Sequence, residues 1–153
     1  MYELAELHRR IENLVLFGSI AELDSSKRLV RVRLDHADEG HITAWLPWPA
    51  DIGRNYIRWR PLRVDCQVVL GCPSGVINNG QILGMLYSAE QQSDSDLEGL
   101  DVIEFDDGTR ISYDSDNQHL SAELQSGTAY IKAPDKISLD TAQLHVLGDI
   151  NAD

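Results

Sequence analysis

Apolar positions along the chain keep two different periods, and the change from one to the other marks out the elements. In "ELAELHRRIENLV", residues 3–15, Leu4, Leu7, Ile11 and Leu14 are spaced by three, four and three, laying one apolar stripe along a helix. A helix of roughly three turns is marginal alone, so the stripe needs a neighbour, in its own domain or on another subunit. Beyond it the period is two. "LVLFGSIAELD" (14–24) predicts one strand and the turn-rich "SSKR" follows it. In "LVRVRLD" (29–35), Val30, Val32 and Leu34 alternate with Arg31, Arg33 and Asp35, the pattern of a half-buried strand. "HITAWLPWP" (41–49) predicts a third strand that ends at prolines. The loop "ADIGRNYIRWRPLRVD" (50–65) leads to "CQVVLGCPSG" (66–75), and "INNGQILGMLYS" (77–88) carries a turn and a last strand. Gly18, Gly71 and Gly84 sit inside these runs, where glycine marks a bulge or a bend. The expectation is an all-β fold: a short helix at 1–15, then a five-stranded OB-type barrel at 16–88.

Polar, aperiodic "SAEQQSDSDLEG" (88–99) ends that domain, with the linker placed at 89–99. From residue 100 to 153 the chain breaks into pieces of four to seven residues, each closed by a turn: "VIEF", "TRISY", "HLSAEL", "AYIKA", "KISLD", "QLHVLG". Turns this close predict a stacked-strand architecture. Each piece offers two or three apolar residues on one face, too little to offset the chain entropy of a free ribbon. Three copies facing inward would share a dry core, so a trimeric, intertwined β-helix is predicted. Its core positions are drawn from Val102, Ile103, Phe105, Ile111, Leu120, Leu124, Ile131, Ile137, Leu139, Leu144 and Val146, some of which must face outward by the alternation.

Charge sharpens the division. The formal net charge is −12, yet residues 1–92 hold ten Lys/Arg against eleven Asp/Glu, and residues 93–153 hold three against fourteen. An acidic C-terminal half repels nucleic acid and anionic membranes. Cys66 and Cys72 read as free thiols in a reducing compartment. His8, His36, His41, His119 and His145 form no HxH or HxxxH pair, so metal binding is not expected. No basic and apolar leader opens the chain and no run of eighteen apolar residues occurs, so synthesis in the cytosol is expected.

The residues "IENLVLFGSIAELD" (11–24), "VRVRL" (30–34), "TAWLPW" (43–48), "GQILGMLYS" (80–88) and "IEFDDGTRISYD" (103–114) resemble, in this order, the baseplate assembly protein V family. These are the central spikes of contractile phage tails, related to type VI secretion and R-type tailocin spikes. The resemblance implies a homotrimer located in the tail baseplate. Its OB-fold would seat on the tail hub protein, and its β-helix would be driven into the host envelope on contraction. It also implies an iron-binding apex with an HxH pair, which this sequence does not contain. No cofactor is therefore expected within the chain, and a tip-capping protein is a possible partner.

One segment carries candidate binding chemistry. "WLPWPADIGRNYIRWRPLR" brings Trp45, Trp48, Tyr56 and Trp59 near Arg54, Arg58, Arg60 and Arg63. Four readings are open. Arg and Trp are enriched at protein–protein hot spots, which makes Trp45, Trp48, Tyr56, Arg58 and Trp59, with Leu4, Leu7 and Ile11, candidates for a hub or inter-subunit interface. Alternatively Trp45 and Leu46 pack in the barrel and the arginines are solvated. Aromatic rings interleaved with arginine on an OB-fold also suit single-stranded nucleic acid, or the tryptophans a carbohydrate. Asp106, Asp107, Asp114, Asp116 and Asp135 lack a calcium-loop pattern and read as turn formers. No nucleophile elbow or distinct carboxylate pair is present, so no enzyme is expected.

Overall fold

The computed structural model of the chain describes residues 2–35, 40–89 and 97–150. It divides into two compact units, Met1–Asp94 and Ser95–Asp153. The first opens with helix α1 (Tyr2–Glu12), which ends two residues before Leu14, the last position of the predicted stripe. The Leu14 carbonyl instead accepts from the Cys72 N–H at 2.8 Å. This bond ties the end of the helix to the rim of the barrel.

The barrel sheet has the order β3-β2-β1-β6-β7, from β1 (Val15–Asp24), β2 (Leu29–Leu34), β3 (Leu46–Pro47), β6 (Gln67–Gly71) and β7 (Gln81–Leu86). All its pairings are antiparallel, with register shifts between Ile20 and Glu22 on β1 and between Val69 and Leu70 on β6. Such bulges add twist, which lets a long strand curl. The predicted third strand shrinks to two residues. Upstream of it, Thr43 replaces a ladder partner: its buried hydroxyl accepts from the Val32 N–H at 3.0 Å and donates to the Ala44 carbonyl.

Side-chain alternation fills the interior with Ile20, Val30, Val32, Leu34, Leu46, Trp48, Leu62, Val68, Leu70 and Cys72. Gly18 belongs to this inward set for a steric reason. A Cβ there would lie 2.3 Å from the Arg33 carbonyl oxygen, so it is close approach of β2, and not a bulge, that requires glycine. The long loop is also not structureless. Residues 51–58 form a small hairpin of β4 (Asp51–Ile52) and β5 (Ile57–Arg58).

The second unit is a three-stranded antiparallel sheet, order β10-β9-β8, from β8 (Leu100–Glu104), β9 (Arg110–Asp114) and β10 (His119–Glu123). "AYIKA", "KISLD" and "QLHVLG", expected as strands, are not strands here, since no strand runs beside them within the chain. The described structure is thus mostly β, with a short N-terminal helix and a curled, OB-like sheet.

Candidate interaction surfaces

No three His, Cys, Asp or Glu side chains among the described residues come together to hold a metal. What the sequence places on the surface instead is apolar and aromatic, in four patches.

The first patch is on α1. Glu6 accepts two hydrogen bonds from Arg9 and one from Arg10, and these hold its carboxyl pKa down at about 2. His8 and Glu12 meet at 3.0 Å. These contacts settle the polar side, while Leu4, Leu7 and Ile11 stay exposed. The helix is docked through its backbone and not through this stripe. Gly75, at φ +68°, lies so close to Arg10 that an added Cβ would be 2.4 Å from the Arg10 carbonyl oxygen.

The second patch is the segment from 45 to 63. Period two puts Leu46 and Trp48 on the inward side and Trp45 on the outward side. The candidate interface residue Trp48 is therefore corrected: at 9% exposure it is part of the core and presents no surface for a partner. Trp59 stacks on it, ring centroids 5.2 Å apart. The Arg28 guanidinium lies 5.8 Å from the Trp59 ring centre, and Arg31 lies 5.7 Å from that of Trp45. Tyr56 donates to the Asp51 carboxylate at 2.8 Å, and this bond pushes its hydroxyl pKa up. Gly53 leaves room for the Tyr56 ring, since a Cβ there would be 2.5 Å from it. Trp45, Ile52, Tyr56, Ile57, Arg58 and Trp59 all remain exposed.

Sequence reasoning missed the third patch. On the outward side of β1, β6 and β7 lie Val15, Phe17, Val69, Leu83 and Leu86, with Phe17 opposite Val69 and Val69 opposite Gly84. Of the three outward positions of β2, Leu29, Arg31 and Arg33, two are arginines, so the apolar surface weakens toward that strand. The signal was present: "LVLF" is apolar on both faces, as in a strand covered on both sides.

The fourth patch belongs to the second unit. The register sets Ile103 opposite Ile111 opposite Ala122, and Asp101 opposite Tyr113 opposite Leu120. Ile103, Ile111, Tyr113, Leu120 and Ala122 thus share one face, and Phe105 and Leu124 continue its parity. Leu120 is 71% exposed there. Val102 falls on the opposite face with Ser112 and Ser121, whose hydroxyls are 3.0 Å apart. Tyr113 and Ala122 were not among the predicted core positions. Ile131, Ile137, Leu139, Leu144 and Val146 are exposed and lie in no strand.

Between these strands the aspartates act as turn formers. Asp107 accepts from the Thr109 N–H and hydroxyl, and Asp114 from the N–H groups of Asp116 and Asn117 and the Asn117 amide. Those bonds lower both carboxyl pKa values.

Two comparisons agree with this geometry. The chain is similar to the spike protein of Escherichia phage P2, at 27% identity over 156 positions that cover 92% of this chain and 72% of the phage protein. Residues 16–87, the curled sheet with its hairpin, match the family described as the type VI secretion system/phage-baseplate injector OB domain.

Proposed function

We propose that this protein is the central spike of a contractile-tail baseplate and works mechanically as a homotrimer. The OB barrel and α1 seat it on the tail hub, and the C-terminal unit contributes to a stiff shaft that contraction drives into the host envelope. The supporting observation is the one-sided sheet of the second unit. Ile103, Ile111, Tyr113 and Leu120 present an apolar face to solvent, interrupted by Asp101, while the other face carries Val102, Ser112 and Ser121. Three strands with one apolar face are incomplete alone. Facing one another about a threefold axis, they would enclose a dry core and leave the aspartate-rich turns outside.

Axial load suits such a shaft, because interchain hydrogen bonds and a continuous apolar core resist bending together. The resemblance to the phage P2 spike protein along nearly the whole chain supports the same role and a place in the virion tail. The test is the solution mass of the intact chain by light scattering. Three times 17.1 kDa is expected; a stable monomer with a folded C-terminal unit overturns the reading.

A further inference from the structure

The first unit carries two apolar surfaces that its own chain leaves uncovered, one on α1 and one on the outward face of the barrel sheet. On α1, Leu4, Leu7 and Ile11 fall within about 60° of one another around the helix axis, and all three are exposed. Their own barrel does not receive them. The Leu14 carbonyl is held by the Cys72 N–H, and Gly75 packs against the Arg10 backbone, so the helix is fixed at the rim with its stripe in solvent.

The sheet face is one continuous surface. Phe17, Val69 and Gly84 form a row across β1, β6 and β7, and Val15, Gly71 and Gln81 form the next. Leu83, left without a partner at the register shift between β6 and β7, leans over Gly71, where an added Cβ would lie 2.8 Å from its methyl. Ser19, Gln67 and Leu86 make the third row. No position in these rows is charged, on a chain in which 25% of residues are. The helix is matched to that neutrality. Glu6 pairs with Arg9 and Arg10, and His8 with Glu12, so of the acidic groups on α1 only Glu3 stands outside these pairs. The dimensions agree as well: Leu4 to Ile11 rises about 10 Å along a helix, and three strands measure about 10 Å from first to third.

We propose that in the trimer the stripe of Leu4, Leu7 and Ile11 from each copy packs on the outward face of β1, β6 and β7 of a neighbouring copy, against Phe17, Val69 and Leu83. The proposal rests on the spike reading. Each such contact joins different patches of two copies, and three of them close into a ring. Size selects a second copy over a separate protein. A stable interface between free proteins takes roughly 20–30 residues a side, and the stripe and the patch are each much smaller. A copy already joined through the second unit needs far less, because tethering raises the effective concentration of the first units to about the millimolar range. Neutrality points the same way, since each surface finds an uncharged counterpart on the other copy. In this arrangement α1 helps to seat the spike as a clasp between barrels, so that a ring of three barrels meets the hub.

The experiment places p-benzoylphenylalanine at position 7 of the full chain, which is irradiated as the purified protein and again in assembled particles. Products are separated by mass under denaturing conditions and their cross-linked peptides are sequenced. Covalent dimers and trimers of this chain are expected in both, joining residues 2–12 of one copy to 15–19, 67–71 or 81–86 of another. In the same background Leu83→Glu should lower their yield at least tenfold, while light scattering still reads a trimer held by the second unit. Leu83→Met keeps an apolar side chain over Gly71 and should retain most of the yield, which separates loss of the contact from loss of the fold. A link within one copy, a link to another segment of the neighbouring copy, or a link in particles to a different polypeptide overturns the proposal. So does the absence of product from a chain that light scattering shows to be trimeric, and so do equal yields from the glutamate and methionine variants. A purified chain that is monomeric with a folded C-terminal unit sinks the spike reading itself, and the proposal falls with it.

Discussion

Trp48 and Trp59 stack with their rings inclined by 24°, although one is in the barrel core at 9% exposure and the other is 51% exposed. The pair couples a surface loop to the interior. Arg28, from the turn between β1 and β2 at φ +57°, also lies over the Trp59 ring, 5.8 Å from its centre. The exit of the hairpin is therefore held by the fold and not by its own two short strands.

Removing either ring should have unequal effects. Trp59→Ala loses a stacked pair and a cation–π contact, about 1–2 kcal/mol together. The barrel should stay folded while amides of residues 52–58 exchange faster with solvent. Trp48→Ala leaves a cavity in the core and should cost about 3–5 kcal/mol, enough to lower the thermal midpoint of the barrel markedly. Exchange by mass spectrometry and a thermal melt of the two variants distinguish these outcomes.

Thr43 offers a test of polar satisfaction in the same core. Its hydroxyl is the acceptor for the buried Val32 N–H, at the point where β3 is too short to supply a carbonyl. Thr43→Val keeps the shape and removes that acceptor. An unpaired buried N–H costs about 1–3 kcal/mol. Chemical denaturation should show that loss, whereas Thr43→Ser, which keeps the hydroxyl, should lose less.

Gly18 tests the close approach of β1 and β2. Alanine there puts a carbon 2.3 Å from the Arg33 carbonyl oxygen and 2.8 Å from a Val32 methyl, so the strands must separate. Overpacking of this kind costs roughly 1–3 kcal/mol. Gly84→Ala is the control, because nothing lies within 4 Å of its added carbon. A denaturation midpoint lowered in the first variant and unchanged in the second is the expected result.

How far the sequence reaches is clear from individual positions. The alternation in "LVRVRL" states which residues of β2 are core, and Val30, Val32 and Leu34 are indeed buried, because a two-residue period has only two phases. Trp45 against Trp48 was not legible, since the strand ends at the prolines beside Trp48 and only the inward position of Leu46 decides between them. The hairpin at 51–58 was read as loop because each strand is two residues long and has no period to detect. In the second unit the sequence gives the apolar positions, but Tyr113 and Ala122 join Ile103, Ile111 and Leu120 only through the register of three strands, which depends on turn lengths. The Trp59 stack is a tertiary contact across eleven residues, beyond any local pattern.

Acid should loosen the turn between β9 and β10. The Asn117 amide, followed by the Asn117 N–H, holds the Asp114 carboxyl below its ordinary value of 3.8. A folded-state pKa below the unfolded one gives stability that is present above the unfolded pKa and lost as pH falls through the folded pKa. The turn should thus be intact at neutral pH and weaken progressively below 3.8. Proton NMR of the Asp116 and Asn117 amides against pH should report their release in that window. Asp114→Ala should show released amides already at neutral pH.

Adjacent positions on β9 give the sharpest test of the trimer. Ile111 faces the apolar side with Ile103 and Ala122, and Ser112, one residue on, faces the polar side with Val102 and Ser121. Aspartate at 112 would stand at a half-buried position beside the Ser121 hydroxyl and Val102, away from the apolar face. Aspartate at 111 would be enclosed in the shared core three times over, once from each copy. An unpaired carboxylate taken out of water costs on the order of 3 kcal/mol or more, and the threefold axis multiplies that cost while drawing like charges together. The expected outcome is that Ile111→Asp sediments as a monomer at concentrations where the unaltered chain and Ser112→Asp are both trimers. Equal masses for the two variants would mean that this face is not the one buried, and the core of the shaft would have to be sought elsewhere along the chain.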